Sequence, residues 1–170
     1  MHEDHSKEQY FFDAPTVAKL ASFVRQYERP VLLCCPMVGR KLHEDGIDVP
    51  TLDLDERFSD LPGFVRYDVY RPSALPRGWV KPDLLLIDPP FFKVRPDQLF
   101  HAVRHLTGDW STPLMVASNP TRAPAFVGTF TLFGLRPTGY RPTYVTVPNG
   151  VGIEFLGANI PQDKLAILTA

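Results

Sequence analysis

Asp88, Pro89, Pro90 and Phe91 follow directly on an apolar run, Asp83 to Ile87, that reads as a parallel strand buried on both faces. A proline has no N–H and a fixed φ, and it holds the residue before it extended, so the chain leaves the sheet stiffly at this point. The backbone carbonyls of the exit then point outward unpaired. With the Asp88 carboxylate they can accept the two hydrogens of an –NH2 group, while Phe91 offers a ring face to a planar base or an alkyl chain. Methylation of an amino group is the chemistry that such a lip suits. The bland alternative is a strand exit that two prolines merely stop.

A lip of this kind needs a sheet behind it. Pro30 to Cys35 is a continuous apolar run of the sort found in a strand buried on both faces, Val49 to Asp55 reads as a second strand ending in acids, and Gly63 to Val69 as a third. Pro113 to Ser118 supplies a strand after the Asp83 run. Helical spacing joins Val17, Leu20, Ala21 and Val24 behind Asp13 as cap and Pro15 in the first turn. The same spacing joins Leu99, Phe100, Val103 and Leu106 within Pro96–Leu106 ahead of Gly108. A short helix is expected through Arg40 to His43, and a further helix over Ala123 to Phe133. Runs over Arg136–Val147 and Val151–Ala158 flank Pro148-Asn149-Gly150, which reads as a hairpin turn between antiparallel edge strands. Strands alternating with helices and closing on a hairpin predict an α/β fold: a mostly parallel, doubly wound sheet with an antiparallel C-terminal hairpin. Residues 1–8 read as a loose polar start, 9–160 as one domain and 161–170 as a C-terminal tail.

At 170 residues the chain makes one domain. A net charge of −1 argues against a stand-alone nucleic-acid binder, whose affinity rests on a strong positive field. Lys93 and Arg95, just beyond Phe91, can still form a small basic rim facing a phosphate or an acidic protein. No apolar stretch approaches a membrane span, and the start lacks a signal-peptide layout, which together predict a cytoplasmic protein with no membrane partner. The adjacent Cys34 and Cys35 cannot form an ordinary disulfide and have no zinc-ligand spacing. His101 and His105 lie four apart on a predicted helix but lack an evident third ligand, so no metal is expected.

In an open α/β sheet the ligand lies beyond the carboxyl ends of the strands. The first strand ends in Cys35-Pro36-Met37-Val38-Gly39, which is no GxGxxG and argues against a pyrophosphate-bearing cofactor. A nucleoside cofactor without a pyrophosphate needs only a tight turn and an acid for its ribose. Asp53 and Asp55, spaced so as to point to one side of a strand, are the candidate acids, Asp55 foremost. Asp68, at the end of the third strand, can accept from an adenine amino group.

Taken in order, Gln9-Tyr10-Phe11-Phe12, Cys35-Pro36 with Lys41-Leu42, Asp53-Leu54-Asp55-Glu56-Arg57-Phe58, Tyr67-Asp68 with Pro72, Asp88-Pro89-Pro90-Phe91 and Ile153-Glu154-Phe155 resemble a known motif series. It is that of the small family of probable N6-adenine methyltransferases, which includes elongation-factor-1A lysine methyltransferases. Zinc-knuckle rRNA adenosine methyltransferases and cap-adjacent adenosine methyltransferases are related to it. The resemblance spans about residues 9 to 158. It implies a class I methyltransferase-like Rossmann fold with S-adenosylmethionine as cofactor. By the same resemblance Tyr10, Phe11 and Phe12 fold over the cofactor, the Cys35-Pro36 turn replaces the glycine-rich loop, and Asp55 with Asp68 holds the nucleoside. Asp88, Pro89, Pro90 and Phe91 then form the catalytic motif, with Phe92, Lys93 and Arg95 on the substrate side.

Two departures keep the acceptor open. The lysine-modifying members carry Tyr where this chain has Phe91, and the zinc knuckles of the rRNA enzymes are absent. Three readings follow: an N6-adenine methyltransferase acting on RNA or DNA, a protein lysine methyltransferase of the same fold, or a non-catalytic relative that binds a partner. The slightly acidic balance leaves room for a protein partner that supplies substrate recognition.

Overall fold

The computed structural model describes residues 2–72, 74–148 and 151–169. Among the described residues seven strands form one sheet: β1 (Pro30–Leu33), β2 (Thr51–Asp53), β3 (Phe64–Arg66), β4 (Leu84–Ile87), β5 (Leu114–Ser118), β6 (Arg136–Pro137) and β7 (Glu154–Ala158), in the order β3-β2-β1-β4-β5-β7-β6. β1 to β5 run parallel, and β7 lies antiparallel between β5 and β6. Strand order reverses between β1 and β4, so a crevice opens beyond their carboxyl ends, where open α/β sheets bind ligands.

The apolar strand runs form as they do because both faces are covered. Leu32, Leu84 and Leu86 face one core with Leu20, Phe23 and Val24 of α1 (Ala14–Val24) and Leu42 of α2 (Pro36–Glu44). Val31, Leu33, Leu85 and Ile87 alternate to the other face, against Leu99, Val103 and Leu106 of α3 (Pro96–Thr107) and Phe126 of α4 (Ala123–Thr129). Asp13 caps α1 by accepting from the Thr16 N–H at 2.9 Å, with Pro15 in the first turn. α2 packs so closely on β2 that a Cβ at Gly39 would stand 2.4 Å from the Thr51 hydroxyl, which only glycine avoids.

Several elements differ from the sequence expectation. α2 starts at Pro36 rather than near Arg40, because proline suits the first helical position. β3 is three residues long, and α4 ends at Thr129 with turns carrying the chain to Gly134. The expected strand over 136–147 shrinks to Arg136–Pro137: Pro137, Gly139 and Pro142 interrupt the ladder. The antiparallel pairing of β6 with β7 stands, but the connection between them crosses the carboxyl end of the sheet. There Tyr144 bridges to Phe12, and the Val145 N–H donates to the Phe11 carbonyl at 2.9 Å. Of the expected turn Pro148-Asn149-Gly150, the last two residues lie outside the described residues.

The two ends of the chain carry more structure than a loose start and a tail. Residues 162–169 form helix α5 (Gln162–Thr169), which buries Leu168 and exchanges two bonds with α1's exit: Gln26 Nε2 to the Lys164 carbonyl at 3.0 Å and Lys164 Nζ to the Gln26 carbonyl at 2.6 Å. Near the start, the Glu8 carboxylate accepts from the Phe92 and Lys93 N–H groups at 3.0 and 2.9 Å, and Glu3 accepts from the Phe11 N–H at 2.7 Å. Among the described residues no helix is long and apolar enough to cross a membrane.

Candidate active site

A cavity of about 430 Å³ opens at the carboxyl ends of β1 to β4, within the size range of small-molecule sites. Each of these strands delivers a residue to it: Cys34 after β1, Asp53 at the end of β2, Tyr67 after β3, and Asp88 after β4. Pro36 forms the helix side, and Ser6 to Phe11 cover the opening.

The turn after β1 does what a glycine-rich loop does elsewhere, with different residues. Cys34 takes φ of +59°, a left-handed conformation usually left to glycine, and this swings the chain into α2. The turn corrects the expectation that both cysteines sit in the strand and that Cys35, beside Pro36, meets the cofactor. β1 ends at Leu33, so Cys34 lines the cavity, while Cys35 turns into the core with its Sγ against the Leu33 and Leu86 carbonyls. Burial pushes both thiols up, and the Asp53 and Asp88 carboxylates add to it, so neither is poised as a thiolate.

Asp53 and Asp55 both reach the cavity wall, though not as two positions of one strand. β2 ends at Asp53, and Asp55 instead caps the 3-10 turn Glu56–Phe58. The Asp55 carboxylate accepts from Arg57 Nε at 2.8 Å, Arg57 Nη2 at 2.6 Å, the Arg57 N–H at 3.1 Å and Gln9 Nε2 at 2.7 Å. The Arg57 bond above all holds it down at about 2. Two carboxylate oxygens offer about four lone-pair sites, so these donors leave Asp55 little spare capacity. Asp53 is the reverse: burial pushes it up to about 6, and its Oδ1 accepts from the Asp55 N–H at 2.9 Å. No described side chain donates to its Oδ2.

Asp68 is not on the cavity wall. Its carboxylate accepts from the Tyr70 N–H at 2.9 Å, and its neighbours Tyr67, Val69 and Tyr70 line the space instead. The Tyr67 hydroxyl is buried with no hydrogen-bond partner among the described residues, a polar atom left for something else to satisfy.

The three aromatic residues expected over the cofactor divide. Tyr10 and Phe11 line the cavity; Phe12 is buried beneath it, tilted on Tyr144 with centroids 4.8 Å apart. Tyr10 stacks on Phe91 at 5.8 Å and 24°, so the Phe91 ring is already one plate of an aromatic pair.

Asp88, Pro89, Pro90 and Phe91 meet the cavity together, as their order at the end of β4 requires. Asp88 is anchored by its N–H, which donates to the Leu33 carbonyl at 3.1 Å. Desolvation pushes its carboxyl well above the ordinary carboxylate range, with the Asp53 charge adding to the effect. Two anchors were invisible to the sequence reading. The Tyr144 hydroxyl donates to Asp88 Oδ1 at 2.9 Å. Arg122, at the foot of α4, donates to the Phe91 carbonyl at 2.7 Å and to the Val94 carbonyl at 2.6 Å, pinning the loop beyond the motif.

The expected substrate-side residues are less uniform. Phe92 stands 68% exposed at the rim. Lys93 lines the cavity but donates its Nζ to the Ser6 carbonyl. Arg95 lies outside the cavity and pairs with Asp97 of α3 through two bonds of 3.0 and 2.9 Å.

The model of the family described as "Probable N6-adenine methyltransferase" matches residues 3–147, a span that holds the cavity, Tyr144 and Arg122. The chain belongs to that family. It is accordingly a methyltransferase-family protein with a class I methyltransferase-like Rossmann fold. Among solved structures, a Thermoplasma acidophilum protein is similar over 93% of this chain and 97% of its own, with a TM-score of 0.56 at 15% identity, a likeness of fold alone. No match is found among curated proteins.

Proposed function

We propose that this family member is an S-adenosylmethionine-dependent N-methyltransferase whose acceptor is the N6 amino group of adenine in RNA or DNA. The observation that carries the reading is the Asp88 carboxyl: fixed at the end of β4, lining the cavity, and bonded by the Tyr144 hydroxyl through Oδ1, with no described side chain donating to Oδ2.

The cavity suits the cofactor. It has the volume for a small-molecule ligand, a buried carboxyl at Asp53, an unpartnered hydroxyl at Tyr67, and a wall of Tyr10, Phe11 and Pro36 for apolar and planar parts. In this reading Asp53 and Asp55 serve the ribose, with Asp53 the acid that no described side chain engages. When bound, S-adenosylmethionine supplies an electrophilic methyl group.

The chain's own residues prepare the nucleophile. The N6 lone pair of adenine is delocalised into the ring, and acceptors that pull on its N–H bonds turn the nitrogen toward tetrahedral geometry. Asp88 Oδ2 and the Pro89 carbonyl, which no described group occupies, are those acceptors. Holding the amine in line with the methyl group contributes through orientation; no base need act before attack, and the proton that the methylated nitrogen must then lose passes to the Asp88 carboxylate or to water. Because the acceptor form of Asp88 is the carboxylate, activity falls as the pH drops toward the raised value of that group. Phe91 and Tyr10 already stack on each other, so in this reading a flat base lies against the cavity side of the pair and not between its rings.

A second reading, a protein lysine acceptor, draws on one specific observation. Arg95 is committed to Asp97 and Lys93 to Ser6, so the expected basic rim offers phosphate little that is free. The exposed Phe92 at the rim then suits a protein surface, either the substrate or a partner that delivers nucleic acid.

Incubation with methyl-labelled S-adenosylmethionine and separate RNA, DNA and protein fractions distinguishes the readings. Label recovered as N6-methyladenine supports the proposal, and label recovered only in lysine replaces it with the second reading.

A further inference from the structure

The carboxyl of Asp88 is held from the far end of the chain. Tyr144 sits on the connection between β6 and β7, and its hydroxyl donates to Asp88 Oδ1 at 2.9 Å. The tyrosine is 6% exposed, its ring edge-on to Phe91 at 5.5 Å and 79°, and tilted on Phe12 at 4.8 Å. Backbone bonds fix its height above the sheet: the Asp13 N–H donates to the Thr143 carbonyl at 3.0 Å and the Val145 N–H to the Phe11 carbonyl at 2.9 Å. The Thr143 hydroxyl also donates to Asp13 at 2.5 Å. The hydroxyl is therefore aimed by packing on both sides.

We infer that Tyr144 is a positioning residue for methyl transfer: by occupying Asp88 Oδ1 it fixes the carboxyl plane and leaves Oδ2 as the single oxygen turned to the acceptor amine. The inference rests on the methyltransferase reading of the site, and it goes beyond it by assigning a role to a residue outside the Asp-Pro-Pro-Phe motif. A bond that must be ready before the substrate arrives is preorganisation, which is where fixed hydrogen bonds help a reaction most. The charged and titratable groups that face Asp88 among the described residues are Tyr144 from above, Asp53 from β2, and Cys34 and Cys35 after β1, with Lys7, Glu8, Tyr10, Asp55, Tyr67, Tyr70 and Lys93 elsewhere on the cavity wall. Of these, Tyr144 is the one that donates to the carboxylate, so its loss favours the protonated acid.

The test compares the full-length protein with Tyr144→Phe, which keeps the ring contacts and removes only the donor. Two readouts are taken: single-turnover methyl transfer across pH, and the titration of the Asp88 carboxyl followed by carbon NMR with Asp88→Asn as the assignment control. The expected result is a loss of about ten- to a hundredfold in turnover, the value of a hydrogen bond to a charged group, with cofactor affinity and melting temperature nearly unchanged. The acid limb of the rate profile and the carboxyl titration should both move to higher pH. An unmoved carboxyl titration overturns the inference whatever the acceptor is. If the wild-type protein transfers no methyl group to adenine, the functional reading fails, and the carboxyl titration still decides the role of Tyr144.

Discussion

Asp53 and Asp55 stand two residues apart on one cavity wall and are driven in opposite directions. Burial pushes Asp53 up to about 6, while Arg57 holds Asp55 down at about 2. The buried Asp53 carboxyl makes the stability of the fold depend on pH. Below about pH 4 the Asp53 carboxyl is protonated in folded and unfolded chains alike. As pH rises from about 4 to about 6 the unfolded chain releases its proton first, so stability is lost across that window and stays lost above it. Asp53→Asn should therefore stabilise the ligand-free protein by about 2 to 3 kcal/mol at pH 7 and by almost nothing at pH 3.5. Urea unfolding at the two pH values checks this; equal effects at both would mean that Asp53 is not desolvated as described.

Asp55 should matter to the cofactor through its surroundings. Its oxygens are shared among Arg57 and Gln9, so Asp55→Ala frees the segment over the cavity as well as removing an acid. Calorimetry with S-adenosylmethionine should show one site, weakened by about 1 to 3 kcal/mol in Asp55→Ala and at least as much in Asp53→Ala. If Asp53→Ala binds as tightly as the wild type, the ribose assignment is wrong.

Cys34 carries the strain of a turn that a glycine would make freely. With φ at +59°, Cys34→Gly should retain the fold and change stability by less than about 1 kcal/mol, because relief of strain offsets the greater freedom of glycine in the unfolded chain. Cys34→Val places a β-branched residue in the same conformation and should destabilise by about 1 to 3 kcal/mol. Thermal unfolding of the pair measures the difference, and a Cys34→Val protein as stable as Cys34→Gly would refute the strain.

The contrast between these two cysteines shows what local sequence could and could not disclose. The runs that became β1, β4 and β5 were legible because strands buried on both faces are apolar throughout, and the acid, two prolines and aromatic after β4 announced a stiff exit. The point where β1 stops was not legible, since Leu33, Cys34 and Cys35 look alike in a hydrophobic pattern. Only the left-handed turn decides that Cys34 meets the cavity. Arg122 and Tyr144 were out of reach for another reason. Arg122 grips carbonyls 31 and 28 residues back in the chain, and Tyr144 reaches an acid 56 residues away. Bonds at such separations leave no periodic trace. The strand expected over 136–147 was a misreading of the same kind. Thr138 and Tyr140 still bond to Phe155 of β7, but Thr143, Tyr144 and Val145 turn to residues 11–13 and the site, while the prolines and glycine keep the segment out of a regular ladder.

The central claim is that Asp88 serves the chemical step of methyl transfer to an adenine amino group. Its most direct test is single-turnover methylation of an adenine-containing oligonucleotide by the wild type and Asp88→Ala, with the product identified by nucleoside mass spectrometry and cofactor affinity measured in parallel. The account predicts N6-methyladenine from the wild type and a loss of roughly a hundredfold or more in Asp88→Ala, about 3 kcal/mol of transition-state stabilisation, with cofactor affinity nearly unchanged. An Asp88→Ala protein that binds the cofactor and transfers methyl groups at the wild-type rate would contradict it.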